Sequence, residues 1–221
     1  MKLRAILIIL SLMVCLTPLS VHGRDGECTD GDCVNGHGTW NWPHGWKYEG
    51  EWKRGKRHGF GVFSAPTGEK YKGRWRGDRI RGHGSYTYPD GARYVGDLWD
   101  GKRLGHGTMK YPDGRVYVGQ WRHEKKSGRG TMYWPNRAKY VGWFKNDMYH
   151  GEGRMTYPDG AEYKGAWVNE KKHGQGAMIW PNGLKYIGEW KDGLRDGKGI
   201  EYHPEGDEKK GTWEKDIFIG E

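Results

Sequence analysis

The sequence predicts an all-β fold: an elongated, single-layer antiparallel sheet, a meander of tandem 23-residue β-hairpin repeats. Three observations carry the prediction. Tyr recurs every 23 residues, at Tyr48, Tyr71, Tyr94, Tyr117, Tyr140, Tyr163 and Tyr186, and no insertion breaks the register. A fixed period of this length is the mark of a repeat architecture. Within each unit, large and small side chains alternate with the period of two that belongs to strands. The composition fits short strands joined by turns, with 39 Gly, 13 Trp and 14 Tyr against 4 Phe. Only 34% of residues are hydrophobic, but a chain so rich in aromatics does not read as disordered.

In chain order, residues 1–23 read as a signal peptide. Lys2 and Arg4 form a basic start, and Ala5 to Leu16 is an apolar stretch too short to span a bilayer comfortably. Small residues at Val21 and Gly23 suit cleavage after Gly23. Cleavage removes Cys15 and leaves Cys28 and Cys33 in a lead-in over residues 24–34. Two cysteines separated by turn formers in a secreted chain predict a small disulfide loop, with a bond between two chains as the alternative. Residues 35–47 read as the second half of a repeat, residues 48–208 as seven whole repeats and residues 209–221 as a truncated one that caps the end.

Each repeat breaks into two strands. Tyr117, Gly119 and Trp121 share one face, and Val118 and Gln120 the other. The same Tyr-x-Gly-x-Trp recurs at Tyr48, Gly50, Trp52; Tyr71, Gly73, Trp75; and Tyr163, Gly165, Trp167. Arg122 to Ser127 reads as a polar turn. A second strand starts at Gly128 and puts Gly128, Gly130, Met132 and Trp134 on one face. A Pro turn then leads into the next unit, usually ending in Gly, as in Pro112-Asp113-Gly114, although Arg137 takes that place once. A single sheet has no second layer, so the glycine row is expected to let the rings lie across the neighbouring backbone. The Met and aromatic rows then read as repeat core rather than as a ligand cage.

Little points to catalysis. His58, His83, His106, His150 and His173 stand at equivalent places in successive units, which argues for a structural role, and no catalytic residue, cofactor site or metal site is nominated. Arg76-Gly77-Asp78 spells RGD at a hairpin tip, but the repeat by itself favours a basic residue and Gly there. Charge is more informative. The chain carries +9 overall, of which residues 48–139 carry +12 and residues 140–221 carry −3. The asymmetry predicts a basic face for an acidic partner. Arg74, Arg76, Arg79, Arg81, Lys125 and Lys126 are its candidate residues. The acidic end could also meet the basic half of a second copy.

Tyr-x-Gly-x-Trp followed by His-Gly-x-Gly and a Pro-Asp-Gly turn, as in YEGEWKRGKRHGFG from Tyr48 to Gly61, resembles the MORN repeat (membrane occupation and recognition nexus). The resemblance runs from Asn35 to about Trp213. It implies an elongated curved sheet that scaffolds or tethers and is not an enzyme. Leu98 and Phe144 depart from the pattern at Trp positions, with Trp99 and Trp143 beside them. The expectation is therefore a secreted binding protein for acidic extracellular polysaccharide or protein, without nucleic acid as a partner. The alternatives are an adaptor on anionic membranes and, further off, a hydrolase of wall or matrix polymers.

Overall fold

The computed structural model describes residues 25–221, so the leader expected over residues 1–23 lies outside the described residues. The first strands are β1 (Glu27–Gly31), β2 (His37–Asn41), β3 (Lys47–Lys53), β4 (Lys56–Ser64), β5 (Lys70–Arg76) and β6 (Arg79–Thr87). They continue as β7 (Arg93–Trp99), β8 (Lys102–Lys110), β9 (Val116–Arg122), β10 (Lys125–Tyr133), β11 (Lys139–Lys145) and β12 (Met148–Thr156). The last are β13 (Glu162–Val168), β14 (Lys171–Ile179), β15 (Lys185–Lys191), β16 (Leu194–Tyr202), β17 (Glu208–Glu214) and β18 (Ile217–Gly220). Each strand pairs antiparallel with the next, from β1–β2 through β9–β10 to β17–β18. The result is one open meander of 18 strands.

The lead-in does more than expected. It supplies β1, which completes a hairpin with β2. Cys28 and Cys33 are bonded within the chain, with Cα atoms 6.1 Å apart, and the bond staples β1 to the turn that follows it.

The core is a single layer on one face, built from parallel rows of Tyr, Trp and Met or other aromatic side chains. All seven repeat tyrosines are wholly buried. Tyr117 shows how this is achieved without a second layer. Its ring meets Trp121 of its own unit edge-on at 5.1 Å and Phe144 of the next at 5.0 Å. Its hydroxyl donates to the Gln120 carbonyl at 2.8 Å, which removes the cost of burying it. The ring lies over Gly130, where a Cβ would stand only 2.6 Å from ring atoms. Trp121 donates its indole N–H back to the Gly107 carbonyl at 3.2 Å. Edge-on pairs of this kind add about 0.5–1.5 kcal/mol beyond burial. The ladder runs unbroken from Tyr94 through Trp213 to Phe218. At Leu98 an aliphatic side chain fills the core place, and Trp99 goes to the opposite face.

Two local expectations are corrected. The turn between the strands of a unit is not Arg122–Ser127 but the two residues His123 and Glu124. Both have positive φ, and the next strand begins at Lys125. This tight hairpin geometry matches the right-handed twist of the strands. Gly128 does not join the alternation of Gly130 and Met132. Trp121 pairs with Lys126 and Gly119 with Gly130, so Ser127, Gly128 and Arg129 together oppose Gln120 in a bulge. Gly128 sits there at φ +68°, the left-handed region that suits glycine. The two glycines of the repeated Gly-x-Gly therefore have different duties: the first turns the bulge and the second makes room for the ring.

Candidate functional site

The core face is consumed by packing, so ligand chemistry belongs to the opposite face and the hairpin tips. The bulge sets out that face. It frees one backbone N–H per unit, and in four units a side chain on the preceding strand accepts from it. Glu51 accepts from the Phe60 amide at 2.6 Å, Asp97 from His106 at 3.2 Å, Gln120 from Arg129 at 3.2 Å and Glu189 from Lys198 at 3.1 Å. Three units place at this position a residue with no acceptor to offer: Arg74, Trp143 and Ala166.

Arg74 lies in the most basic part of the molecule. Tyr71, Gly73 and Trp75 of β5 face the core, so Lys70, Lys72, Arg74 and Arg76 all face outward. Alternate residues of a strand are roughly 7 Å apart, so this is a line of four cations. At that distance neighbouring charges repel by roughly 0.6 kcal/mol even in water. None of the four has a carboxylate within ion-pair distance among the described residues. Phe60 of β4, 49% exposed, pairs with Arg74 in register and lies 5.9 Å from the Lys72 ammonium. On β6, Arg79 and Arg81 flank the same face, but both reach Asp100 of the next hairpin tip, at 3.5 and 3.1 Å. Arg81 also covers Trp99 at 3.5 Å.

The six candidate basic residues thus divide. Arg74, Arg76, Arg79 and Arg81 are brought together on β5 and β6. Lys125 stands exposed at a tip four strands away. Lys126 is on the other face, opposite Trp121, with its ammonium within 6 Å of the Tyr117 and Phe144 rings. Burial lowers the Lys126 pKa, against the raising effect of Asp147. Lys70, Lys72 and Phe60 were not singled out from the sequence. The signal was present in KYKGRWR, where every outward position of one strand is a cation.

Lys126 belongs to a row of cations built into the core. Arg57 lies 4.3 Å from the Trp75 ring and bonds Asp78 at 3.1 Å. Arg103 lies 4.3 Å from Trp121 and bonds Glu124 at 3.1 Å. Arg195 lies 4.2 Å from Trp213 and bonds Asp216 at 3.2 Å. In each case the acid sits at the tip of the next hairpin, so the row locks one repeat to its neighbour. Asp78 is the acid of the Arg76-Gly77-Asp78 tip, and Arg57 holds its carboxylate in that lock. Desolvation lowers the Arg57 pKa while Asp78 opposes the shift.

The repeated histidines are dispersed, and only His83 meets an acid, with Nδ1 3.3 Å from Asp97. Among the described residues, no three metal-ligating side chains converge, and no helix is long and apolar enough to cross a membrane.

The geometry defines a class: a single-sheet β-repeat protein with one packed face and one open face. The family model for the MORN repeat matches residues 48–70, 71–93, 94–114, 117–139, 140–162, 163–185 and 186–208. The chain belongs to the MORN-repeat family. No curated protein matches it in sequence. Among solved structures it is similar to the G-box domain of the microcephaly protein CPAP, at 12% identity and a TM-score of 0.52, over 86% of this chain and 99% of that one. It also matches a mutant TCP10 domain of Danio rerio CPAP, at 10% identity and a TM-score of 0.45, over 80% of this chain and 84% of that one. At such identity the likeness to the G-box domain is one of fold.

Proposed function

We propose that this protein is a secreted, non-enzymatic MORN-repeat scaffold whose open face binds acidic extracellular polymers, above all sulfated or uronic-acid polysaccharide. The observation that carries the reading is the outward line Lys70, Lys72, Arg74 and Arg76 beside exposed Phe60. Like charges held in line without counter-charges favour a partner that brings the anions. A polymer with one or more anions per sugar suits a line of this spacing. Compartment enters through residues 1–23, whose pattern is that of a cleaved leader.

Retention on heparin-agarose, followed by a salt gradient, tests the binding. The wild type should stay bound at physiological ionic strength, and Arg74→Glu/Arg76→Glu should elute at markedly lower salt. Early elution of the wild type, or coelution of the variant, would overturn the reading. Cosedimentation with vesicles containing phosphatidylserine that persists in moderate salt, without heparin retention, would favour a membrane adaptor instead. Intact mass of the untagged protein from a secreting cell tests the compartment. The product should be in the medium and lack Met1 to Gly23.

A further inference from the structure

A second constellation lies on the open face of β10 to β13, its nearer edge five strands from the β5 line. Arg129 of β10 pairs in register with Trp143 of β11, and Glu152 of β12 pairs with Ala166 of β13. Beside this row run Thr131 opposite Val141, Val141 opposite Arg154, and Arg154 opposite Lys164. Together with three intervening glycines, all of these residues except Ala166 line an open groove of about 460 Å³. Trp143 is 44% exposed, although the repeat buries the aromatic next to it, Phe144. The Arg129 guanidinium lies 5.4 Å from its ring centroid and braces it. Gly130, Gly142 and Gly153 turn their Cβ positions toward the core face, so only their backbone contributes to the floor.

The charges are placed for an anionic guest. Lys164 is exposed and has no ion-pair partner among the described residues, while Arg154 shares its charge with Glu162. Glu152 adds one acceptor to the rim. Trp143 has also displaced the cap that Asp97 or Gln120 provides elsewhere, so the site gives up a structural bond to expose a ring.

We infer that this groove is a saccharide subsite. The apolar face of a uronic-acid ring stacks on Trp143, its carboxylate meets Lys164 and Arg154, and its hydroxyls donate to Glu152. Four strands span roughly 14 Å, room for a short run of sugar rings. The choice of sugar rests on the acidic-polysaccharide reading above. The Trp platform itself is an independent observation, separate from the β5 line.

Calorimetric titration of the full chain with unsulfated tetragalacturonate tests it, alongside Trp143→Ala, Trp143→Phe and Lys164→Gln. The wild type should bind. Trp143→Ala should weaken binding tenfold or more, Lys164→Gln severalfold, and Trp143→Phe should keep most of it. Both Trp143 variants should unfold at urea midpoints close to the wild type and elute from heparin at unchanged salt. A silent wild-type titration, or equal binding by Trp143→Ala, overturns the subsite. Tetragalacturonate binding without heparin retention leaves the subsite standing and sinks the sulfated-polymer reading instead.

Discussion

Capped and uncapped bulges differ by one side chain, and that side chain decides whether the open face carries a structural hydrogen bond or a side chain free of one. In the Asp97 and Gln120 units, the residue facing the bulge accepts from its freed N–H. In the Arg74 and Trp143 units the same position carries a large exposed side chain that cannot. Their core faces remain alike: Tyr71, Tyr94, Tyr117 and Tyr140 are all wholly buried. The repeat therefore constrains one face and leaves the other free to vary. Both candidate sites stand at uncapped bulges, the arrangement that a local stability–function trade-off predicts.

The largest expected effect concerns the face that both kinds of unit share. Burial raises the pKa of Tyr71 to about 12 and pushes the other buried tyrosines upward. A phenol with a raised pKa gives stability that is complete below its unfolded value of 10.0 and is lost as pH rises through the folded value. Most of the tyrosinate absorbance should therefore be missing at pH 10 and appear together with loss of near-UV circular dichroism as pH nears about 12. Ionisation of all the tyrosines around pH 10 in an intact fold would break the argument.

Next come the close glycines. Gly130→Ala in a capped unit and Gly153→Ala in an uncapped one place a Cβ 2.6 and 2.3 Å from the tyrosine below. Each should cost about 1–3 kcal/mol in urea unfolding. Similar losses are expected, because the cap is on the other face. A large difference would show that the two faces are coupled.

The comparison is sharpened directly by exchanging caps. Asp97→Ala should destabilise by about 1 kcal/mol, whereas Trp143→Asp should restore a cap and stabilise by about 0.5–1.5 kcal/mol while abolishing tetragalacturonate binding. Opposite signs in the same urea assay support the trade-off, and a destabilised Trp143→Asp refutes it. The smallest effect belongs to the far edge. Arg137 holds φ at 71° where other Pro turns have Gly. Arg137→Gly should gain about 0.5 kcal/mol, the relieved strain being partly offset by glycine's larger unfolded-state entropy, read from the same urea midpoint, and should leave both binding assays unchanged.

The legibility of these features follows the range of the interactions behind them. The Tyr117, Gly119, Trp121 alternation and the Pro112-Asp113-Gly114 turn are set within a few residues, so they show directly in the text. The bulge is less legible, because Ser127 to Arg129 is strand-like in pattern and only pairing with β9 reveals the extra residues. Lys125 and Lys126 read as part of a polar turn, but they open β10, where consecutive residues point to opposite faces.

By itself the sequence determined the period, the hairpins, the aromatic core and the surplus of positive charge, because side-chain alternation and turn chemistry are local. Only the tertiary structure decided which cations are spent between aromatic rings and which stand free. It alone decided which bulges are capped and that β10 to β13 line an open groove. Those outcomes depend on register between strands, and the physical reason is that a single offset in pairing moves a side chain to the other face of the sheet.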